Sequence, residues 1–118
     1  MSAAMDREMV ATAWRDVGAV GDIPRLGSRI VLTAKGNVAV FRTGLDEFYA
    51  LEDHCPHKGG PLSQGIVHGT AVTCPLHNWM IDLASGEAAE PDRGCVRTIP
   101  VRRDGDRILL LMAKVNRG

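Results

Sequence analysis

The chain has 118 residues, 45% of them hydrophobic and 24% charged, with 14 Lys and Arg balanced by 14 Asp and Glu. That length makes one domain, whose folding removes roughly two-thirds of the unfolded chain's surface from water. The zero net charge lacks the basic footprint of a nucleic-acid or membrane-surface binder, and no run approaches the roughly 18 apolar residues of a membrane span.

Residues 1–11 read as a tail, with Asp6, Arg7 and Glu8 where a secretory leader needs an apolar stretch. A cytoplasmic protein is therefore expected. Residues 12–113 form the domain, and 114–118 a second short tail. Within the domain, short β-type runs alternate with Gly, Pro, Asp and Asn, and no convincing 3.6-residue apolar period appears. Strands are expected at residues 13–17, 29–33, 37–42, 47–51, 71–74, 79–82, 95–100 and 107–112. In the third of these, Val38, Val40 and Arg42 alternate with Ala39 and Phe41, the period of a half-buried strand. Gly36, Gly69, Gly86 and Gly105 stand where hairpins need a positive φ. The fold class is all-β.

One stretch breaks the strand rhythm. Residues 53–65 read DHCPHKGGPLSQG, with three glycines and two prolines. An irregular loop this long is uncommon in a small domain and is usually functional. A second proline-marked loop, Cys74-Pro75-Leu76-His77, follows after a short hairpin.

These loops carry a C-x-H…C-x-x-H pattern: Cys55 and His57, then Cys74 and His77. Thiolate and imidazole suit zinc, copper or iron–sulfur centres. A Cys2His2 zinc finger takes both sulfurs from one end of its motif and both nitrogens from the other. Here each loop supplies one of each, which suits a two-iron centre in which two His replace two Cys on one iron. A mononuclear zinc site with the same four ligands is the competing reading, and chance CPH and CPLH strings on structural turns are the bland one. Pro56 and Pro75 stiffen the loops, and Gly59, Gly60 and Gly65 let backbone N–H groups approach inorganic sulfide. Pro91, in Ala88-Ala89-Glu90-Pro91-Asp92, marks a third loop that could shield the site.

The stretch CPHKGGPLSQGIVHGTAVTCPLHNWMIDLASGEA resembles the Rieske [2Fe–2S] domain. Together with GCVRTIPV it is most similar to the small subunits of assimilatory NAD(P)H-dependent nitrite reductases. The resemblance spans about residues 12–113 and implies stacked antiparallel sheets with a two-loop cluster-binding subdomain. It implies one [2Fe–2S] cluster per chain, on Cys55, His57, Cys74 and His77. It also implies a large partner subunit with FAD, a [4Fe–4S] cluster and sirohaem, and no nucleic-acid or membrane partner. In that reading the chain is an electron carrier within an enzyme and not catalytic on its own. High-potential relatives carry two further cysteines, in a disulfide between the ligand loops, and Ser and Tyr hydroxyl donors to sulfur. Gly60, Leu76, Trp79 and Ile81 stand at those positions here, so a potential at the low end of the Rieske range is expected. The alternative is a free Rieske ferredoxin serving a ring-hydroxylating dioxygenase. A third reading keeps the fold for assembly alone.

The remaining notable residues have plainer expectations. His54 and His68 read as exposed turn residues, and Cys95 as a buried, inert thiol. Trp79 is either core or a cover over the centre, Lys58 a candidate partner contact, and Arg97, Arg102, Arg103 and Arg107 the wet face of a hairpin. Three cysteines in a reducing compartment do not make a disulfide framework.

Overall fold

A computed structural model describes residues 12–33, 36–56, 60–75, 78–89 and 94–113. Among them the regular structure is strand and short 3-10 turn. The strands are β1 (Thr12–Ala19), β2 (Ser28–Thr33), β3 (Gly36–Arg42), β4 (Phe48–Glu52), β5 (Ile66–His68), β6 (Ala71–Thr73), β7 (Met80–Asp82), β8 (Thr98–Ile99), β9 (Val101–Asp104) and β10 (Arg107–Ala113). Single 3-10 turns occupy Val20–Asp22 and Leu62–Gln64. No helix among these residues is long and apolar enough to cross a membrane.

The strands form three antiparallel sheets, ordered β1-β10-β9, β2-β3-β4-β8 and β5-β6-β7. The four-stranded sheet is the middle layer. One of its faces offers Val38, Val40 and Ala50 to Ile108 and Leu110 of the first sheet. Its other face offers Ala39, Phe41 and Leu51 to Val67, Val72 and Ile81 of the third. This corrects the reading of β3 as half-buried: Val38 to Phe41 are all buried, because the strand is central and covered on both sides. Alternation in its sequence separated two apolar faces, not a wet one from a dry one.

Two expected boundaries also move for physical reasons. The run 95–100 is expected from its sequence to be one strand. Instead Thr98–Ile99 pairs with β4, and Val101–Asp104 pairs with β10. Pro100, at the crossing, has no N–H to give either ladder, and its carbonyl accepts Leu111 N–H at 3.1 Å. The short β5 was not anticipated, since three residues beside an irregular loop carry little periodicity. Gly36, Gly69, Gly86 and Gly105 all have positive φ, as expected.

The arginines of the last hairpin are exposed, yet each is placed. Arg102 lies over the Trp14 ring and Arg103 over Phe48. Arg107 donates two hydrogen bonds to Asp16, at 2.8 and 2.9 Å, pinning β10 to β1. Arg97 lies outside this hairpin, 3.9 Å from Glu52. The Arg107 hydrogen bond holds the Asp16 carboxyl below its ordinary 3.8, as Arg42 does for Asp46 and the Ala19 N–H for Asp22. Depressed carboxyl pKa values stabilise the fold above the ordinary carboxylate range, and that contribution fades as pH falls through the folded-state values. The melting temperature should therefore be level from about pH 7 to about pH 5 and decline below about pH 4. Asp46→Asn should flatten that decline, and an unchanged acid limb in calorimetry would count against these pairs. The groups are exposed, so the effect is small.

Candidate metal centre

The site grows from the face of the middle sheet that carries Phe41 and Leu51. Beyond β4 the chain turns at Asp53 and His54 and delivers Cys55 into that apolar cluster, 1% exposed. Cys74 follows β6 directly and enters the same cluster, 0% exposed. Leu62, Val72, Ile81 and Leu83 pack around them, with Tyr49 and Trp79 partly buried at the margin.

The two cysteine loops close in the same way. Cys55 N–H donates to the Gly60 carbonyl at 2.7 Å, and Cys74 N–H donates to the Trp79 carbonyl at 2.6 Å. Each bond reaches five residues ahead, so each loop folds back on its own cysteine. In sequence, His57 falls inside the first closed loop and His77 inside the second. Both histidines lie outside the described residues, as do Lys58, Gly59, Leu76 and Pro91. Asn78, which is described, has φ +58°, a left-handed conformation that asparagine tolerates better than most residues.

The loops are brought together by backbone contact. Gly65, at the end of the first loop, lies so close to β6 that a Cβ there would sit 2.3 Å from the Thr73 carbonyl oxygen. Thr73 immediately precedes Cys74. A third segment touches both loops: a Cβ on Gly94 would stand 3.1 Å from Pro56 Cβ and 3.7 Å from the Trp79 ring. The smallness of Gly65 thus serves contact with the second loop. The first loop is also tied at its base, where the Asp53 carboxylate accepts the Ser63 N–H at 2.7 Å and the Ser63 hydroxyl at 2.8 Å. Sequence reasoning passed over Asp53 and Ser63; the trace they leave is an Asp two residues before the Cys and a Ser inside the Pro-Leu-Ser turn.

The other singled-out residues are now placed. His54 is exposed, 3.4 Å from Glu52. His68 is exposed at the end of β5, with Nε2 2.6 Å from Thr73 Oγ1. Cys95 is exposed, which overturns the expectation of a buried thiol. The reason is local: Val96 N–H bonds the Gly86 carbonyl at 2.8 Å and seats Val96 in the core, so its neighbour faces outward. None of the three cysteines is in a disulfide. Among the described residues, no group of three or more His, Cys, Asp or Glu side chains is placed to hold a metal ion.

The donor chemistry here is thus a pair of thiols, buried in one apolar pocket at the bases of two similarly closed loops. Thiolates are soft ligands suited to iron–sulfur centres, and a buried, apolar setting is what holds such a centre away from water. The described half of the site fits a [2Fe–2S] cluster.

Comparison with known proteins agrees. The sequence model of the Rieske [2Fe–2S] domain matches residues 13–100. The chain is 33% identical over 96 residues to the anthranilate 1,2-dioxygenase ferredoxin subunit of Burkholderia cepacia, covering 80% of this chain and 88% of that protein. A solved structure assigned as a nitrite reductase NADPH small subunit superposes with a TM-score of 0.76 at 26% identity, covering 85% of this chain and 99% of the other. The structure assigned as the NADH-dependent nitrite reductase small subunit of Mycobacterium tuberculosis shares the fold, with a TM-score of 0.78 at 24% identity and coverage of 88% and 98%. The chain belongs to the Rieske [2Fe–2S] domain family. It is an electron-transfer domain of the kind that works with partner oxidoreductases, and its cofactor is a [2Fe–2S] cluster.

Proposed function

We propose that this chain is the electron-transferring small subunit of an NAD(P)H-dependent assimilatory nitrite reductase, with Cys55, His57, Cys74 and His77 as the cluster ligands. The observation that carries the ligand assignment is the matched closure of the Cys55 and Cys74 loops around buried thiols. The nitrite assignment is supported by the loop sequences CPHKGGPLSQGIV and CPLHNWMIDLASGEA and by the likeness to a nitrite reductase small subunit along 99% of that chain. The cluster, when bound, supplies a one-electron couple.

What the chain's own residues do is hold and expose that couple. Phe41, Leu51, Leu62 and Ile81 keep water from the sulfur side. Ile81, buried in β7, brings no hydroxyl donor, and no disulfide joins the loops, so the potential lies at the low end of the Rieske range. The loop segments whose sequence carries His57, Lys58, His77 and Asn78 are the proposed docking region for a large subunit with FAD, a [4Fe–4S] cluster and sirohaem. Ile66 and Met80 flank Thr73 across the third sheet and are exposed beside the second loop, adding apolar area for the same partner. With NAD(P)H as electron source, the protein works in the cytoplasm.

A second reading has its own support: the 33% identity to a dioxygenase ferredoxin subunit favours a freely diffusing ferredoxin. Gene deletion separates the two. Loss of growth on nitrite as sole nitrogen source, restored by the wild-type gene but not by His77→Ala, is the result expected for the small subunit. Normal growth of the deletion strain contradicts it and favours the ferredoxin.

A further inference from the structure

The two cysteine loops are closed alike but anchored differently. Outside the Cys74–Trp79 hydrogen bond, β6 and β7 pair directly, with Thr73 opposite Met80. The second loop therefore rises from a strand ladder. The first loop has no such ladder among the described residues: β4 ends at Glu52, and the chain returns as the 3-10 turn Leu62–Gln64. The Asp53 carboxylate stands in that place, with one oxygen on the Ser63 N–H at 2.7 Å and the other on the Ser63 hydroxyl at 2.8 Å. Both partners are themselves fixed to the middle sheet. Asp53 N–H donates to the Asn37 carbonyl at 2.9 Å, and the Ser63 carbonyl accepts the Ser28 hydroxyl at 2.9 Å. The N–H, hydroxyl and carbonyl of Ser63 are all engaged.

We propose that Asp53 is a positioning residue for the metal centre: its two-oxygen grip on Ser63 replaces the missing ladder, fixes the geometry of the loop bearing Cys55, and controls how readily that loop opens to release the cluster. The inference rests on the cluster assignment above. A hydrogen bond to a carboxylate is stronger than a neutral one, and removing two of them shifts a local opening equilibrium by about ten- to a hundred-fold. Release of a buried cofactor proceeds through such local openings. The second loop rises from the backbone pairing of β6 and β7.

The test uses holoprotein purified anaerobically and challenged with excess ferrous chelator, following the visible absorbance, with EPR of the reduced samples recorded in parallel. Asp53→Ala should lose iron at least about ten-fold faster than wild type and show displaced g-values. Ser63→Ala keeps the N–H bond and should give a smaller acceleration. Asp53→Asn keeps one acceptor oxygen and should fall between them, which preserves the test should Asp53→Ala fail to assemble. Asp46→Ala removes the Arg25 and Arg42 pairs at the opposite end of the β3-β4 hairpin and serves as the control for general destabilisation. It should release iron at the wild-type rate with an unchanged spectrum. Wild-type rates and g-values in all three clamp variants would overturn the proposal, as would equal acceleration in Asp46→Ala. A wild-type protein without iron would instead contradict the cluster assignment itself.

Discussion

Cys55→Ser and Cys74→Ser are each expected to abolish the cluster, whereas Cys95→Ser should keep the full visible spectrum. The two proposed ligands are buried at 1% and 0% exposure in one apolar pocket, where a hydroxyl supplies a harder, poorer donor than a thiolate and gains nothing from solvent. Cys95 faces outward beside Gly94, so its replacement should change stability by no more than about 0.5 kcal/mol. Iron and acid-labile sulfide in the purified variants give the reading. Cluster loss in Cys95→Ser, or retention in Cys74→Ser, would mean that the ligands are misassigned.

Gly65→Ala is expected to damage the centre while leaving every proposed ligand in place. Its φ of −82° suits any residue, so the cost is one of space alone. The added carbon would lie 2.3 Å from the Thr73 carbonyl oxygen, 2.9 Å from Val72 Cγ2 and 3.1 Å from the Leu62 carbonyl oxygen. Two of those three atoms are backbone and cannot rotate aside, so the first loop must lift from β6. Overpacking of this kind costs about 2–3 kcal/mol, which in a domain of this size lowers the melting temperature by on the order of 10 °C. Because the loop that lifts bears Cys55 and the strand beneath it leads to Cys74, cluster content should fall as well. A Gly65→Ala protein with wild-type melting and full iron would show that the two loops are not locked together there.

Much of the fold was legible because period-2 patterning and turn glycines act locally. Gly69 and Gly105 announce their hairpins, and the runs around Val40 and Leu110 read as strands without knowledge of their partners. What sequence does not reveal is which strand pairs with which. β1 meets β10 across nearly the whole chain, and β8 leaves the last hairpin's neighbourhood to join β4. Those pairings are decided by burial of both faces of the middle sheet, a property of three layers together. The same physics misled the reading of β3, where alternation between Val40 and Phe41 distributes residues between two dry faces.

The centre was legible to a different extent. The spacing and mixture of Cys and His types point to Cys55 and Cys74 as proposed ligands, and the fold buries both in one apolar cluster. Cys95 went wrong because composition says only that thiols are usually inside, whereas the Gly86–Val96 hydrogen bond decides which of two adjacent residues takes the core. The supporting residues were harder still. Asp53 and Ser63 are ten positions apart in an irregular loop, and nothing periodic links them. Their pairing becomes visible only once the loop returns to its own base.

Iron and sulfide analysis of anaerobically purified protein, joined to EPR of the reduced form, tests the central claim most directly. Two irons and two sulfides per chain, with a rhombic spectrum of low average g-value, is the predicted result for a cluster with mixed Cys and His ligands. Stoichiometric zinc without sulfide would contradict it.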